Sequence, residues 1–100
     1  MKVGLNVLGP QVRRLRVAKG WSQPELARRL QLVGWNISGR SVGKLERGLR
    51  RALDCEVMFL AAALGASILV FFPRGADLKE LGPQIRSGRR LGIWPGRGER

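Results

Sequence analysis

Along the first two thirds of the chain, apolar residues recur three and four positions apart, the spacing that lines one face of an α-helix. Leu8, Val12, Leu15 and Ala18 share such a face, with Arg13, Arg14 and Arg16 around the rest of the cylinder. Pro10 suits a first turn, where its missing N–H does no harm, and Gly20 is a stop signal. A first helix is therefore predicted from residue 9 or 10 to residue 19. Ser22-Gln23-Pro24-Glu25 reads as a capping box, in which Ser22 accepts from the Glu25 amide and Glu25 bonds back to the amide of Ser22. The helix it opens turns Leu26, Ala27 and Leu30 inward, extended by Val33, and Arg28 and Arg29 outward. Trp21 precedes the cap and can staple onto Leu26.

A connection over 32–37 turns at Gly34 and carries Trp35, either as a lid on the core or as an exposed stacking residue. The third helix is predicted to start at Ser38 as N-cap and to end near Arg47, with Gly48 as its stop. At 100° per residue from Arg40, Lys44 falls at about 40° and Arg47 at about 340°, whereas Val42 falls at about 200° and Leu45 at about 140°. Three cations thus occupy one face and the apolar residues the other. Gly43, at about 300°, flattens the cationic side; a mid-helix glycine costs about 1 kcal/mol relative to alanine, which points to close approach of something bulky.

The fourth helix is predicted from Asp54 as N-cap, with Glu56 in its first turn, both favourable to the helix dipole. Val57, Leu60, Ala61 and Leu64 face inward and Gly65 ends it. Met58, Phe59 and Ala62 remain as a surplus apolar face. Residues 68–72 suit a short strand or another helical turn, since periodicity does not separate the two over five residues. Residues 1–8 read as a short strand or an ordered N-terminal arm, with Gly4 and Asn6 weakening any helix.

Charge sharpens this picture. The 100 residues carry 19 Lys or Arg against 7 Asp or Glu, a net charge of +12. Such an excess repels itself unless a polyanion offsets it, so nucleic acid or an anionic surface is the first-choice partner. Residues 73–100 hold 6 Gly and 3 Pro and contribute +4, so the first 72 residues are basic in their own right. This last segment reads as a flexible basic tail.

With no His and a single Cys, Cys55, neither His-dependent nucleophilic catalysis nor a Cys/His zinc site can be assembled, and no intrachain disulfide can form. Cys55, beside an apolar run, reads as a small buried hydrophobe. No phosphate-binding glycine loop appears. Residues 57–72 are uncharged, but 16 residues interrupted by Gly65 fall short of the roughly 17–20 needed to span a bilayer. No secretory signal is visible over 1–12. A cytoplasmic protein without cofactor, metal or membrane anchor, and not an enzyme, is expected.

Two helices joined by a turn, the second with a cationic outer face, follow the logic of helix-turn-helix DNA binding. The ordered set Leu15-Arg16, Gly20-Trp21-Ser22-Gln23, Glu25-Leu26-Ala27, Ile37-Ser38, Val42, Leu45-Glu46-Arg47-Gly48-Leu49-Arg50 and Leu64-Gly65 resembles the phage-repressor and Cro-like helix-turn-helix family, also called the XRE family, over about residues 9–69. The resemblance implies an all-α, lambda-repressor-like bundle of four to five helices over 9–72, flanked by the arm (1–8) and the tail (73–100), that binds double-stranded DNA as a dimer. It places Ser22 and Gln23 where the second helix meets phosphate or a base edge. Ser38, Gly39, Arg40, Ser41, Gly43 and Lys44 match the exposed part of the recognition helix, and Arg47, Gly48, Arg50 and Arg51 match a loop that holds phosphate. Arg16 and Glu46 match a structural ion pair. The connection holding Trp35 is longer than in the shortest members of the family.

The leading expectation is a sequence-specific, repressor-like transcription regulator. The rival is an antitoxin or other interaction module, in which the surplus apolar face binds a protein such as a toxin and DNA binding is secondary. A small RNA-binding protein is disfavoured by the absence of Tyr and of an aromatic-interleaved pattern.

Overall fold

The computed structural model describes residues 4–72. The expectations for the tail over 73–100 and for the first three residues of the arm lie outside them. The described residues form four helices, α1 (Gly9–Ala18), α2 (Gln23–Leu32), α3 (Gly39–Glu46) and α4 (Asp54–Leu64), closed by a 3₁₀ turn over Ile68–Phe71. The described residues contain no strand, as the all-α reading requires, and the run over 68–72 resolves as the helical alternative. None of these helices is long and apolar enough to cross a membrane.

The core is built from the predicted inward positions. Val12 of α1, Leu26 and Leu30 of α2, Val42 and Leu45 of α3 and Leu60 of α4 are all fully buried. Phe71, fully buried, comes from the turn that packs against α1 and α4; its neighbour Leu69 is 81% exposed. A four-residue run has too little length for sequence periodicity to single out Phe71 as the plug.

Three helix ends differ from the sequence reading, each because a better partner is at hand. Ser22 accepts from the Glu25 amide at 3.1 Å, but the Glu25 carboxylate does not close the box. It receives Arg28 at 3.0 Å and Arg29 at 2.9 Å instead, and these two guanidiniums hold its carboxyl below the ordinary carboxylate range. Leu53, not Asp54, is the N-cap of α4. Asp54 is the first helical residue and accepts from the Cys55 amide, while Glu56 accepts from the Leu53 amide at 3.0 Å. Cys55 is exposed, not buried, because the first turn of α4 directs Glu56 and Val57 inward. The third end is that of α1, whose N-cap Leu8 has no side-chain acceptor. Asn6 supplies it: Oδ1 accepts from the Leu8 and Gly9 amides at 3.0 and 2.8 Å, and Nδ2 donates to the carbonyls of Leu45 and Arg50 at 3.0 and 2.8 Å. A residue that weakens a helix from within thus caps one from outside. It also ties the segment before α1 to the end of α3, where the Leu5 amide donates to Gly48.

One buried ion pair joins three helices. Arg16 of α1 donates through Nε to Glu46 Oε2 at 2.6 Å and through Nη2 to Oε1 at 3.1 Å. Its Nη1 donates to the carbonyl of Trp21, in the turn before α2. Gln23 of α2 donates to the same Glu46 Oε1 at 3.1 Å. Both charged side chains are at least nine-tenths buried, and the bidentate geometry with added hydrogen bonds is what offsets the loss of water.

Replacing one member of that pair, Arg16→Met or Glu46→Leu, is expected to cost about 3–5 kcal/mol by leaving the other charge buried and unpaired. The double replacement is expected to recover most of it, which a double-mutant cycle of urea denaturation measures. Asn6→Ala is expected to cost about 2–3 kcal/mol, from hydrogen bonds worth roughly 1 kcal/mol each. Asn6→Asp fails to restore the loss, since a carboxylate has nothing to donate to the two carbonyls; the same denaturation midpoints decide this.

Candidate nucleic-acid interface

α2, the connection over 33–38 and α3 form two helices and an intervening turn. Ser38 starts α3 as read from the sequence: its Oγ accepts from the Ser41 amide at 3.1 Å, and the two hydroxyls lie 3.3 Å apart. Inside the helix, Val42 and Leu45 are fully buried and Glu46 joins the pair with Arg16. These three inward residues fix the rotation of α3 about its axis. Arg40, Lys44 and Arg47 then fall on the exposed side, where no acid among the described residues pairs with them.

Elsewhere the described glutamates are committed. Glu25, Glu46 and Glu56 each hold arginine from another position of the frame. Among the described residues, positive charge on α3 is therefore left without local compensation, and its exposed side chains stay solvated in a region of high dielectric.

The glycines of α3 face inward, a correction to their assignment to the exposed part of the helix. Gly43 is buried, and a Cβ there would stand 3.0 Å from Gln23 Oε1. At Gly39, one turn earlier, it would stand 3.1 Å from the Cα of Pro24. The bulky neighbour that Gly43 accommodates is the start of α2, and the glycine pair lets the two helices approach closely. Gln23 itself is half-buried with its amide nitrogen on Glu46, whereas Ser22 is exposed beside it.

The loop after α3 divides the arginines assigned to it. Arg47 caps α3 and is exposed, and Gly48, at φ 74°, reverses the chain behind it. Arg51 is exposed. Arg50 is drawn inward: its Nη2 donates to both oxygens of Glu56 at 3.0 and 3.3 Å, and its guanidinium carbon lies 5.4 Å from the Trp35 ring centre. Trp35 in turn stacks on Phe59 of α4 at 6.2 Å and packs half-buried on the core. The lid reading holds for Trp35, with Arg50 laid over it.

This layered contact joins the connection before α3, the loop after it and α4, and sequence reasoning did not find it. The available signal was Glu56 two residues after the start of α4 with an arginine six residues before it, too common a pattern to single out. At the other end of the unit, Trp21 is flanked by Arg29 at 4.4 Å and Lys19 at 5.4 Å from its ring centre, which adds cation–π attraction to its contact with the core.

Solved structures place this geometry among known proteins. The restriction-modification controller protein C.AhdI from Aeromonas hydrophila is 34% identical and superposes with a TM-score of 0.58 over 65% of this chain and 91% of its own. A hypothetical transcription factor, NHTF, from Neisseria is 34% identical with a TM-score of 0.59, over 73% of this chain and 79% of its own. An HTH_3 family transcriptional regulator from Vibrio cholerae is 25% identical with a TM-score of 0.58, over 71% of this chain but 37% of its own longer length. No protein-family model and no curated protein matches the sequence. With the helix order, the Arg16–Glu46 pair and two relatives at 34% identity in agreement, the chain belongs to the phage-repressor and Cro-like (XRE) helix-turn-helix family.

Proposed function

We propose that the protein is a cytoplasmic, sequence-specific DNA-binding transcription regulator of the repressor type, reading the major groove with α3 as a homodimer. The observation that carries this is the orientation of α3, in which Val42, Leu45 and Glu46 anchor the helix while Arg40, Lys44 and Arg47 project without an acidic partner among the described residues. The names of the relatives, a restriction-modification controller and transcription regulators, support the same reading. Arg40, Lys44 and Ser41 are assigned to base edges. Ser22, Gln23, Ser38, Arg47 and Arg51 are assigned to the phosphate backbone, which sets register and affinity without reading sequence. Gly39 and Gly43 serve by letting α2 and α3 meet. Arg50 acts on the loop through Glu56 and Trp35, so its role is to shape the backbone that phosphate would meet. The described glutamates, each committed to an arginine, give no support to a catalytic role.

Exposed Met58, Ile68, Leu69 and Phe72 supply the apolar surface for the second copy in this reading. The same residues favour the alternative, a protein partner such as a toxin. Light scattering of the purified chain separates them: a dimer supports the first, a monomer with tight affinity for an unrelated chain the second.

Selection of duplexes from a random pool at near-physiological salt is expected to yield a palindromic motif. On that site, Arg40→Ala and Lys44→Ala are each expected to cost about 1–3 kcal/mol and to relax sequence preference. Arg47→Ala and Arg51→Ala are expected to weaken all duplexes alike and to flatten the salt slope by about one unit. Identical behaviour of the two sets removes α3 from the reading role. A chain shortened after Arg74 is expected to keep cooperative unfolding and duplex binding, which thermal melts and titration check.

A further inference from the structure

We infer that α3 selects guanine: the preferred half-site carries two guanines within three consecutive base pairs, bound at O6 and N7 by Arg40 and Lys44. This rests on the proposed DNA reading and adds the chemistry of the site read.

Base pairs are told apart in the major groove by complementary groups. Guanine presents two acceptors and takes Arg or Lys, adenine takes the paired donor and acceptor of Asn or Gln, cytosine takes Asp or Glu, and the thymine methyl takes an apolar surface. α3 offers one of these four chemistries. It contains no Asn or Gln, and the amide nearest to it on α2, Gln23, donates to Glu46. Its one acid, Glu46, is buried under two donors, Arg16 and Gln23. Its apolar side chains, Val42 and Leu45, are fully buried. Ser38 is occupied as the cap and donates to Ser41 at 3.3 Å, and the Ser41 hydroxyl at a base edge bonds donors and acceptors alike, so it selects no base by itself. What remains exposed on α3 itself is cationic and donor-only: Arg40 and Lys44.

Spacing sets the window. Arg40 and Lys44 are four residues apart, a rise of about 6 Å along the helix. Two base-pair steps rise about 6.8 Å, at 3.4 Å each. Both side chains therefore fall on the same or neighbouring pairs up to two steps apart, however the helix is tilted in the groove. Neither has an acidic partner among the described residues, so no ion pair among them has to break first.

The test uses the full chain and the duplex enriched from a random pool at fixed, near-physiological salt. Each guanine in the window is replaced by 7-deazaguanine, which removes the N7 acceptor, and in parallel by inosine, which keeps O6 and N7 but lacks the minor-groove amine. The expected result is binding about tenfold weaker for each 7-deazaguanine and within about twofold for inosine, in keeping with a base contact worth 1–3 kcal/mol. Arg40→Ala is expected to abolish the effect at one position and Lys44→Ala at the other. Melting curves are expected to show that both variants fold, since the two side chains are exposed and have no acidic partner among the described residues. Enrichment of a motif with no guanine in the window overturns the inference and leaves the DNA reading standing. So does 7-deazaguanine bound as tightly as guanine, or an adenine preference that follows Asn36, the exposed amide just before α3. Enrichment of no duplex at all overturns the DNA reading and this inference with it.

Discussion

The ion pair between Arg16 and Glu46 is the constraint from which the rest of the arrangement follows. Two charges that remain at least nine-tenths buried are stable only with near-complete hydrogen bonding. Here that requirement recruits a carbonyl from the α1–α2 turn and an amide from the first turn of α2. Satisfying Glu46 therefore positions α1, α2 and α3 together. Because Glu46 is the last residue of α3, its fixed direction sets the rotation of the whole eight-residue helix, and with it the direction of Arg40 and Lys44. A purely apolar contact resists rotation less sharply, since dispersion forces are non-directional.

Around this centre, two polar devices hold the surroundings of α3. Asn6 uses both lone-pair directions and both amide hydrogens, so the segment before α1, the end of α3 and the following loop move as one. On the far side of the loop, Arg50, Glu56, Trp35 and Phe59 form a column of charge and ring contacts. The outward cations of α3 stand apart from these devices. Among the described residues, glutamate engages arginine within the frame and does not pair with the outward cations of α3.

The helices and the cationic face were legible in the sequence because both follow from periodicity, which one chain records completely. Val42 and Leu45 against Arg40, Lys44 and Arg47 are separated by angle alone. The Arg16–Glu46 pair, 30 residues apart, was legible only through the family resemblance. What escaped depends on contacts between distant segments. Asn6 works through carbonyls 39 and 44 residues away, and nothing local marks it. Gly43 was read as exposed because a helical wheel gives its angle but not which neighbour lies at that angle; α2 occupies it. Glu25 was assigned to the cap amide and went to Arg28 and Arg29, since a local motif does not weigh a backbone N–H against two cations. Cys55 was read as buried from the apolar run that follows it, although the first turn of a helix presents all sides before its face is established.

The separation of the outward cations from the interior network bears on how such a protein changes over generations. Arg40 and Lys44 meet no acidic partner among the described residues and fill no space in the core, so exchanging them leaves the described frame thermodynamically indifferent. In the proposed role, mutation can therefore retarget the protein to a different operator without passing through an unstable ancestor. The interior, by contrast, admits few single-step changes, so lineages that diverge in what they recognise are expected to keep one inherited architecture.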